Sequence, residues 1–295
     1  MRDRRVGWVL WAAGRPAQLL LIAGVYALGA KVAAASGATL ATVPLVAGIA
    51  ALLPVAVSVH YANEYADYET DALTSRTPFS GGSGALQRTD VDRRVVLRAA
   101  GVALALGSAL ALAFAAAGVL PPAALALLSV IAVFGWQYSI GPLRLAWRGW
   151  GELDNAALGG LVLPVYGAAV VGGRIGFVAL ASVPFFLVVL LNLFATQWPD
   201  READGAVGKR TLAVQWPRRR LRVAYVAIAL VAALSVVVLQ PQVLPVPVAA
   251  ASAVPAPLLV FGAYGYTRRH VPWPTVSAMV LLAAAQFAAW CWVAA

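Results

Sequence analysis

Charged residues are scarce in this sequence. Only 12% of its 295 residues are Asp, Glu, Lys or Arg, whereas soluble domains contain about 25%. Hydrophobic residues make up 62%, more than a soluble fold of this length has room to bury. Apolar runs of about 18 residues or more recur along the chain, and such runs are typical of membrane-spanning helices. The composition therefore excludes a large soluble helical protein and predicts a multi-span membrane protein.

Cysteine and histidine are nearly missing as well. The chain has one cysteine, Cys291, and two histidines, His60 and His270, which lie far apart in the sequence. One cysteine cannot form a disulfide within the chain, and it makes no metal cluster. We therefore expect each histidine to be a packed or solvated side chain and not a metal ligand.

The apolar runs predict nine membrane spans. Connections that are rich in polar residues alternate with connections that have few of them. We place these spans at about 17–35, 39–62, 95–118, 122–140, 155–173, 177–198, 221–239, 243–264 and 275–294. They predict an all-α membrane protein, a bundle of nine transmembrane helices in one domain over residues 1–295. No separate soluble domain is predicted.

The distribution of charge predicts the orientation in the cell membrane. With a cytoplasmic N-terminus, 20 of the 22 Lys and Arg fall in or beside inside segments, and only Lys31 and Arg174 fall outside. The positive-inside rule then places the C-terminus outside. This bias, with attraction to anionic lipid, accounts for the net charge of +10, so we expect no nucleic-acid partner. All 12 Asp and Glu also fall inside, which no topology rule requires and which points to a function there.

An acidic motif follows the second predicted span. Asn63, Asp67 and Asp71 recur at every fourth position, which on a helix places them on one stripe. Carboxylates one turn apart repel each other and weaken their helix. At the end of a membrane helix such a pair suggests a bound cation, most simply a hard divalent ion on oxygen ligands. Glu64 and Glu69 point away from the stripe, and we expect both to be solvated.

A second acidic motif follows the sixth predicted span. Asp200 and Asp204 repeat the spacing, and Lys209 and Arg210 come closely after them. If the two motifs converge, they could hold Mg²⁺ ions that in turn hold a diphosphate, because Mg²⁺ is usually shared between a few carboxylates and substrate phosphate. Residues 203–210 are similar to a P-loop motif but do not form one. Ala203 stands where that motif needs Gly, and Arg210 stands where it needs Ser or Thr.

The two acidic motifs, on a basic protein with nine predicted spans, resemble the UbiA superfamily of intramembrane prenyltransferases. The likeness covers nearly the whole chain. Further stretches that share it are Arg15-Pro16, Tyr138-Ser139-Ile140-Gly141-Pro142, Arg148-Gly149-Trp150-Gly151-Glu152, and the second acidic motif with Gly208-Lys209-Arg210-Thr211. All but the first of these are most like the branch that prenylates 1,4-dihydroxy-2-naphthoate in menaquinone biosynthesis, a quinone pathway.

The resemblance implies an enzyme that transfers a polyprenyl group from a prenyl diphosphate to an aromatic acceptor, with Mg²⁺ as cofactor and the active site at the cytoplasmic end of a central cavity. Magnesium on the diphosphate would stabilise the charge that develops as the C–O bond breaks, before an electron-rich carbon attacks. The implied catalytic residues are Asp67, Asp71, Asp200 and Asp204, which with Asn63 also form the implied metal site. The implied substrate-binding residues are Asn63, Arg15, Arg76, Tyr138, Ser139, Lys209 and Arg210.

The acceptor stays open, because the naphthoate branch often has Gly-x-Asp after the first acidic motif, where this chain has Glu69-Thr70-Asp71. A lipid glycerol or a phosphosugar is the alternative acceptor. A multi-span transporter that uses the carboxylates as an ion pathway is a further alternative. Transporters place polar residues near the membrane midplane, whereas these carboxylates fall at span ends. The SGGSG sequence at residues 80–84 would be either a mobile lid or a flexible loop.

Overall fold

The fold is built from helices. The computed structural model of the protein describes residues 2–74, 76, 77, 79 and 81–295, with the backbone alone at residues 2 and 3. The helices are α1 (Arg2–Ala13), α2 (Pro16–Ala35), α3 (Thr42–Ala66), α4 (Tyr68–Leu73), α5 (Arg93–Ala116), α6 (Pro122–Ser139), α7 (Gly151–Ala157), α8 (Leu163–Val170), α9 (Ile175–Ala181), α10 (Val183–Gln197), α11 (Arg201–Ala206), α12 (Leu212–Gln215), α13 (Arg218–Leu239), α14 (Val246–Ala253), α15 (Ala256–Gly265) and α16 (Trp273–Val293). A 3₁₀ turn, Leu145–Trp147, follows α6, and a π-helical turn, Leu158–Val162, joins α7 to α8.

The helices provide the predicted number of spans. In the described part of the chain, 8 helical stretches are long and apolar enough to cross a membrane. The pair α9 and α10 is a further candidate, bent by 50°, and it completes the nine predicted spans when counted as one. The bend lies beside Pro184, which has no N–H to continue the helical hydrogen bonds. The predicted all-α, multi-span architecture is confirmed, and the protein is an integral membrane protein.

Small residues let the spans approach one another closely. A Cβ on Gly29 would overlap the backbone of Pro164, and a Cβ on Gly167 would overlap the backbone of Tyr26. Helices α2 and α8 therefore touch backbone to backbone. Such contacts are typical of membrane proteins, where lipid supplies no hydrophobic force between helices and close packing has to replace it.

The N-terminal segment, for which the sequence predicts no element of its own, forms helix α1. After α1 the chain turns at Arg15, whose backbone is left-handed with φ 51°, and Pro16 opens α2. The Nδ1 atom of His60 lies 2.9 Å from the backbone oxygen of Gly14, which fixes this turn to the end of α3. His60 is thus a packed side chain, as predicted.

Candidate active site

The two acidic motifs meet at the side chain of Lys209. Its Nζ lies 3.0 Å from Asp67 Oδ1 and 3.4 Å from Asp204 Oδ1. All three side chains are largely buried, with 9%, 13% and 3% of their surface exposed, respectively. The short helices α4 and α11, which follow the spans α3 and α10, are also in contact. The fold therefore brings the first and second acidic motifs to one place.

The first acidic motif follows a helical path across the junction of α3 and α4. The Asp67 N–H donates to the Asn63 carbonyl at 2.9 Å, and the Asp71 N–H donates to the Asp67 carbonyl at 2.8 Å. These hydrogen bonds keep the helical register, so the three side chains remain one turn apart. The Asn63 side-chain oxygen accepts from Ser139 Oγ at 2.8 Å. The end of α6 therefore lies beside the first acidic motif.

The second acidic motif surrounds the short helix α11. Asp200 precedes the helix, and the Asp204 N–H donates to the Asp200 carbonyl at 2.8 Å. After α11, Gly208 has φ 80°, a left-handed conformation that glycine adopts without steric cost. The Lys209 N–H then donates to the Asp204 carbonyl at 2.9 Å. This turn folds Lys209 back, so that its ammonium group lies between the two motifs.

Burial and neighbouring charges shift the pKa values of the site. The pKa of Asp71 is raised to about 8, first by burial and then by the charges of Asp67 and Glu64. Burial raises the pKa of Asp204 to about 6, although Lys209 opposes the shift. For Lys209, burial lowers the pKa, but the charges of Asp67 and Asp204 outweigh burial, and the net shift is upward. Lys209 is therefore cationic, and the carboxylates around it outnumber it.

The surplus of acidic oxygens fits a further cation. Asp71 Oδ2 is buried and has no hydrogen-bond partner among the described residues. Carboxylate and carboxamide oxygens are the ligands that hard divalent cations prefer. In the described part of the chain, no group of three or more Asp, Glu, His or Cys side chains is placed to hold a metal ion by itself. The donor type of Asp71 and its neighbours suits Mg²⁺, which commonly binds through few carboxylates and shares the rest of its shell with water and phosphate.

The prediction that Glu64 is solvated is wrong. Only 1% of the residue is exposed. Its carboxylate accepts hydrogen bonds from Arg15 Nη2 at 3.3 Å, from the Ser83 N–H at 3.2 Å and from Ser83 Oγ. The turn at Arg15 and the segment around Ser83 cover this face of α3, so the side chain points into protein and not into water.

Glu69 behaves as predicted. Its side chain is 70% exposed and pairs with Arg93 at 3.3 Å. It lies on α4, between Asp67 and Asp71 in the sequence, and its ion-pair partner Arg93 is the first residue of α5. Glu64 and Glu69 thus occupy opposite environments, although both lie off the stripe of the first acidic motif.

The end of α6 and the start of α7 form another wall of the site. The ring of Tyr138 lies against Gly151. Glu152 is 1% exposed, and its Oε1 accepts the Leu212 N–H at 2.6 Å. Glu152 is a buried carboxylate next to the site that the spacing of the acidic motifs does not reveal. Its one signal in the sequence is its place in the stretch Arg148–Glu152.

The predicted phosphate-binding cations occupy different environments. Lys209 is inside the site, and Arg15 is paired with the buried Glu64. Arg76 is exposed, and its Nε donates to the Gly82 carbonyl at 3.2 Å. The side chain of Arg210 is also exposed. Ser80, the first residue of the SGGSG sequence, lies outside the described residues.

A comparison of the whole sequence with known protein families identifies the family of this chain. The sequence profile of the UbiA prenyltransferase family matches residues 21–270. The chain belongs to this family. Both acidic motifs lie within the matched region, and membership of the UbiA prenyltransferase family makes the protein a prenyltransferase. No curated protein sequence matches the chain significantly.

Solved structures of UbiA homologues have the same fold. A homologue from Archaeoglobus fulgidus bound to DMAPP and Mg²⁺ superposes with a TM-score of 0.70 at 17% identity, over 96% of this chain and 99% of that chain. The apo structure of a UbiA homologue from Aeropyrum pernix K1 gives 0.65 at 17% identity, over 92% and 96%. A digeranylgeranylglyceryl phosphate synthase gives 0.66 at 13% identity, over 98% of each chain. At these identities the comparison establishes the fold of this chain.

Proposed function

We propose that this UbiA-family prenyltransferase transfers a polyprenyl group from a prenyl diphosphate in a Mg²⁺-dependent reaction between its two acidic motifs. The contact of Lys209 with both Asp67 and Asp204 carries the proposal. Residues from distant segments have to converge if they are to hold one diphosphate. The Archaeoglobus homologue bound to DMAPP and Mg²⁺ supports the choice of donor and metal.

The side-chain oxygens of the two acidic motifs would hold the metal. The residues are Asn63, Asp67, Asp71, Asp200 and Asp204. These oxygens would hold a Mg²⁺ ion whose positive charge would offset the negative charge that develops on the diphosphate as the C–O bond breaks. Lys209 donates to a phosphate oxygen from its place between two carboxylates, and a charge-assisted hydrogen bond of this kind is stronger than a neutral one. Arg15, Arg76 and Arg210 are the further cations that we assign to the diphosphate.

Residues at the end of α6 would face the reacting carbon. Tyr138 and Ser139 are the last residues of α6, and Ser139 donates to Asn63 of the first acidic motif. An aromatic face attracts a cation, so the Tyr138 ring would stabilise the positive charge left on the allylic carbon. We place this chemistry at the cytoplasmic end of a central cavity, because the acidic residues fall in the connections that carry 20 of the 22 Lys and Arg.

We propose an aromatic acceptor, with 1,4-dihydroxy-2-naphthoate as the first choice. The likeness of residues 138–142, 148–152 and 208–211 to the menaquinone branch supports it. The electron-rich ring carbon attacks the allylic carbon, and diphosphate leaves the donor with the electrons of the C–O bond. The attacked ring carbon then loses its own substituent, a proton to solvent or the carboxylate as CO₂, which restores the aromatic ring. A lipid glycerol phosphate is the second candidate, because a digeranylgeranylglyceryl phosphate synthase has the same fold.

A panel of acceptors, assayed with one labelled prenyl diphosphate, tests the proposal. The purified protein in detergent should form a prenylated product only with Mg²⁺, and with the naphthoate but not with the glycerol phosphate lipid or a phosphosugar. Product with the glycerol phosphate lipid alone would establish the second candidate. If no acceptor leads to Mg²⁺-dependent consumption of the donor, the proposed function is wrong.

A further inference from the structure

Glu64 joins three segments of the chain beside the first acidic motif. Its buried carboxylate accepts hydrogen bonds from the turn before α2, at Arg15, and from two groups of Ser83. We propose that Glu64 is a positioning residue: through Ser83 it holds residues 81–86 against Asp71, and thereby sets the affinity of the site for a metal-bound diphosphate. This inference rests on the proposed function.

The path from Glu64 to Asp71 is short. Gly82, next to Ser83, has a left-handed backbone with φ 62°. A Cβ added to Gly82 would overlap the Asp71 carboxylate, so the backbone at residue 82 lies directly on that carboxylate. The Gly82 carbonyl also accepts from Arg76 Nε at 3.2 Å. A shift of Ser83 would therefore change the space available to the Asp71 carboxylate. It would also move Arg76, a cation that we assign to the diphosphate.

Residues 81–86 need an anchor at their centre. Ala85 and Leu86 are buried in a cluster with residues of α1 and α5, which fixes the end of the segment. The glycines at 81, 82 and 84 all have positive φ. Glycine has the widest conformational freedom of any residue, so the backbone around Ser83 has little stiffness of its own. The hydrogen bonds to Glu64 supply the constraint that the glycines do not.

The negative charge of Glu64 is required for this role. The Arg15 guanidinium and the Ser83 N–H can only donate, and the Ser83 hydroxyl donates as well. A carboxylate accepts all three bonds. A Gln amide is neutral and has one acceptor oxygen, so its NH₂ group would face the Ser83 hydroxyl, which would have to accept instead of donate. Glu64→Gln therefore keeps the size of the side chain and removes the charge-assisted bond from that hydroxyl. Ser83→Ala removes the hydroxyl from the other partner.

Steady-state kinetics of the purified full-length protein in detergent tests the inference. For Glu64→Gln and Ser83→Ala we expect the half-saturating concentrations of Mg²⁺ and prenyl diphosphate to rise about tenfold, as for the loss of one charged hydrogen bond, and kcat to fall less than about threefold. Glu69→Gln, on the exposed side of the same motif, is the matched control and should keep parental values. A lower kcat with unchanged half-saturating concentrations, or an equal rise in Glu69→Gln, would overturn the inference.

A double-mutant cycle tests whether Glu64 acts through Asp71. Equilibrium binding of labelled prenyl diphosphate with Mg²⁺ is measured for Glu64→Gln in the parent and in an Asp71→Asn background. In the parent, we expect Glu64→Gln to weaken the binding of prenyl diphosphate roughly tenfold. In the Asp71→Asn background, the same substitution should weaken binding less than about twofold, because the effects of coupled residues are not additive. Full additivity would show that Glu64 acts elsewhere.

Hydrogen exchange of a peptide that covers residues 81–86, without substrate, separates this inference from the proposed function. If the parent consumes no prenyl diphosphate, the proposed function fails. The inference that Glu64 anchors residues 81–86 still predicts faster exchange in Glu64→Gln and Ser83→Ala. The parent and Glu69→Gln should exchange slowly. Unchanged exchange in both anchor variants would overturn the anchor itself.

Discussion

The Leu212 N–H donates to Glu152 Oε1 at 2.6 Å. This bond ties the start of α12, just after Lys209, to the start of α7. The Arg210 N–H also donates to the Trp147 carbonyl at 3.3 Å, so the chain after the second acidic motif is fixed to residues 147–152 at two points. The position of Lys209 therefore depends on a segment that contributes no residue to either acidic motif.

Replacing Glu152 with Ala leaves the Leu212 N–H without its acceptor. We expect a loss of about 1–3 kcal/mol in the free energy of unfolding, because an unsatisfied buried donor costs about that much. Prenyl transfer should fall as well, because Lys209 is less firmly placed. Asn155→Ala, at an exposed position of α7, is the matched control. Equal unfolding temperatures in detergent for the two variants would show that the bond has no structural role.

Neutralising one aspartate of either acidic motif should remove most of the activity and leave the protein folded. Asp67→Asn and Asp200→Asn each delete one negative charge and keep the shape of the side chain. If these carboxylates hold Mg²⁺ on the diphosphate, we expect a loss of about 10²-fold or more in rate, which is about 3 kcal/mol of barrier. Initial rates and their Mg²⁺ dependence are the measurement.

Glu69→Gln is the control for this pair, because Glu69 is an exposed carboxylate in the same stretch as Asp67 and Asp71. It should keep the parental rate. Rates near the parental value for Asp67→Asn and Asp200→Asn, or the same loss in Glu69→Gln, would show that the two motifs do not hold the metal. Neutralising one aspartate would then only relieve like-charge repulsion.

Much of the fold follows from the sequence, because its spans are long apolar segments whose limits are set by local composition. In the described part of the chain, the 8 apolar helical stretches, and the bent pair α9 and α10 as a ninth, follow from hydrophobic length. Helix α1 does not, since its apolar residues bury themselves against residues 85 and 86, which are distant in sequence. Packing partners that are distant in the sequence cannot be identified from local periodicity.

The spacing within each acidic motif is visible in the sequence, but the surroundings of the two motifs are not. The spacing of Asp67 and Asp71, and of Asp200 and Asp204, is a local pattern that a helix converts into geometry. Glu64 has the same local character as Glu69, and the two differ only because Ser83 and Arg15 cover one of them. The fixation of Lys209 through Glu152 is likewise a contact between distant segments.

Lys209 should stabilise the fold when no metal is bound. Lys209→Gln leaves Asp67 and Asp204 buried without their cation, and breaking a buried ion pair costs roughly 3–5 kcal/mol. We expect the unfolding temperature in Mg²⁺-free detergent to fall by about 5 °C or more. Added Mg²⁺ should restore part of the loss, because it supplies the missing positive charge. Arg219→Gln, an exposed cation, is the control. A variant as stable as the parent without Mg²⁺ would contradict this role.

The orientation in the membrane can be measured with reporter fusions. We expect a reporter that works only in the cytoplasm to be inactive when it is fused after Ala295. The same reporter should be active after His270, in a connection that we place inside. The physical reason is the positive-inside bias, with 20 of 22 basic residues on one side. Activity after Ala295 would reverse the assigned position of the C-terminus.

Binding of Mn²⁺, followed by electron paramagnetic resonance, tests the shared site most directly, because Mn²⁺ accepts the same oxygen ligands as Mg²⁺. The parent protein, with an unreactive prenyl diphosphate analogue, should bind Mn²⁺ tightly. If the two acidic motifs form one site, Asp67→Asn and Asp204→Asn should each lose most of that bound Mn²⁺, although each changes only one motif. Retention of about half of the Mn²⁺ by each variant would show two independent sites and contradict the account.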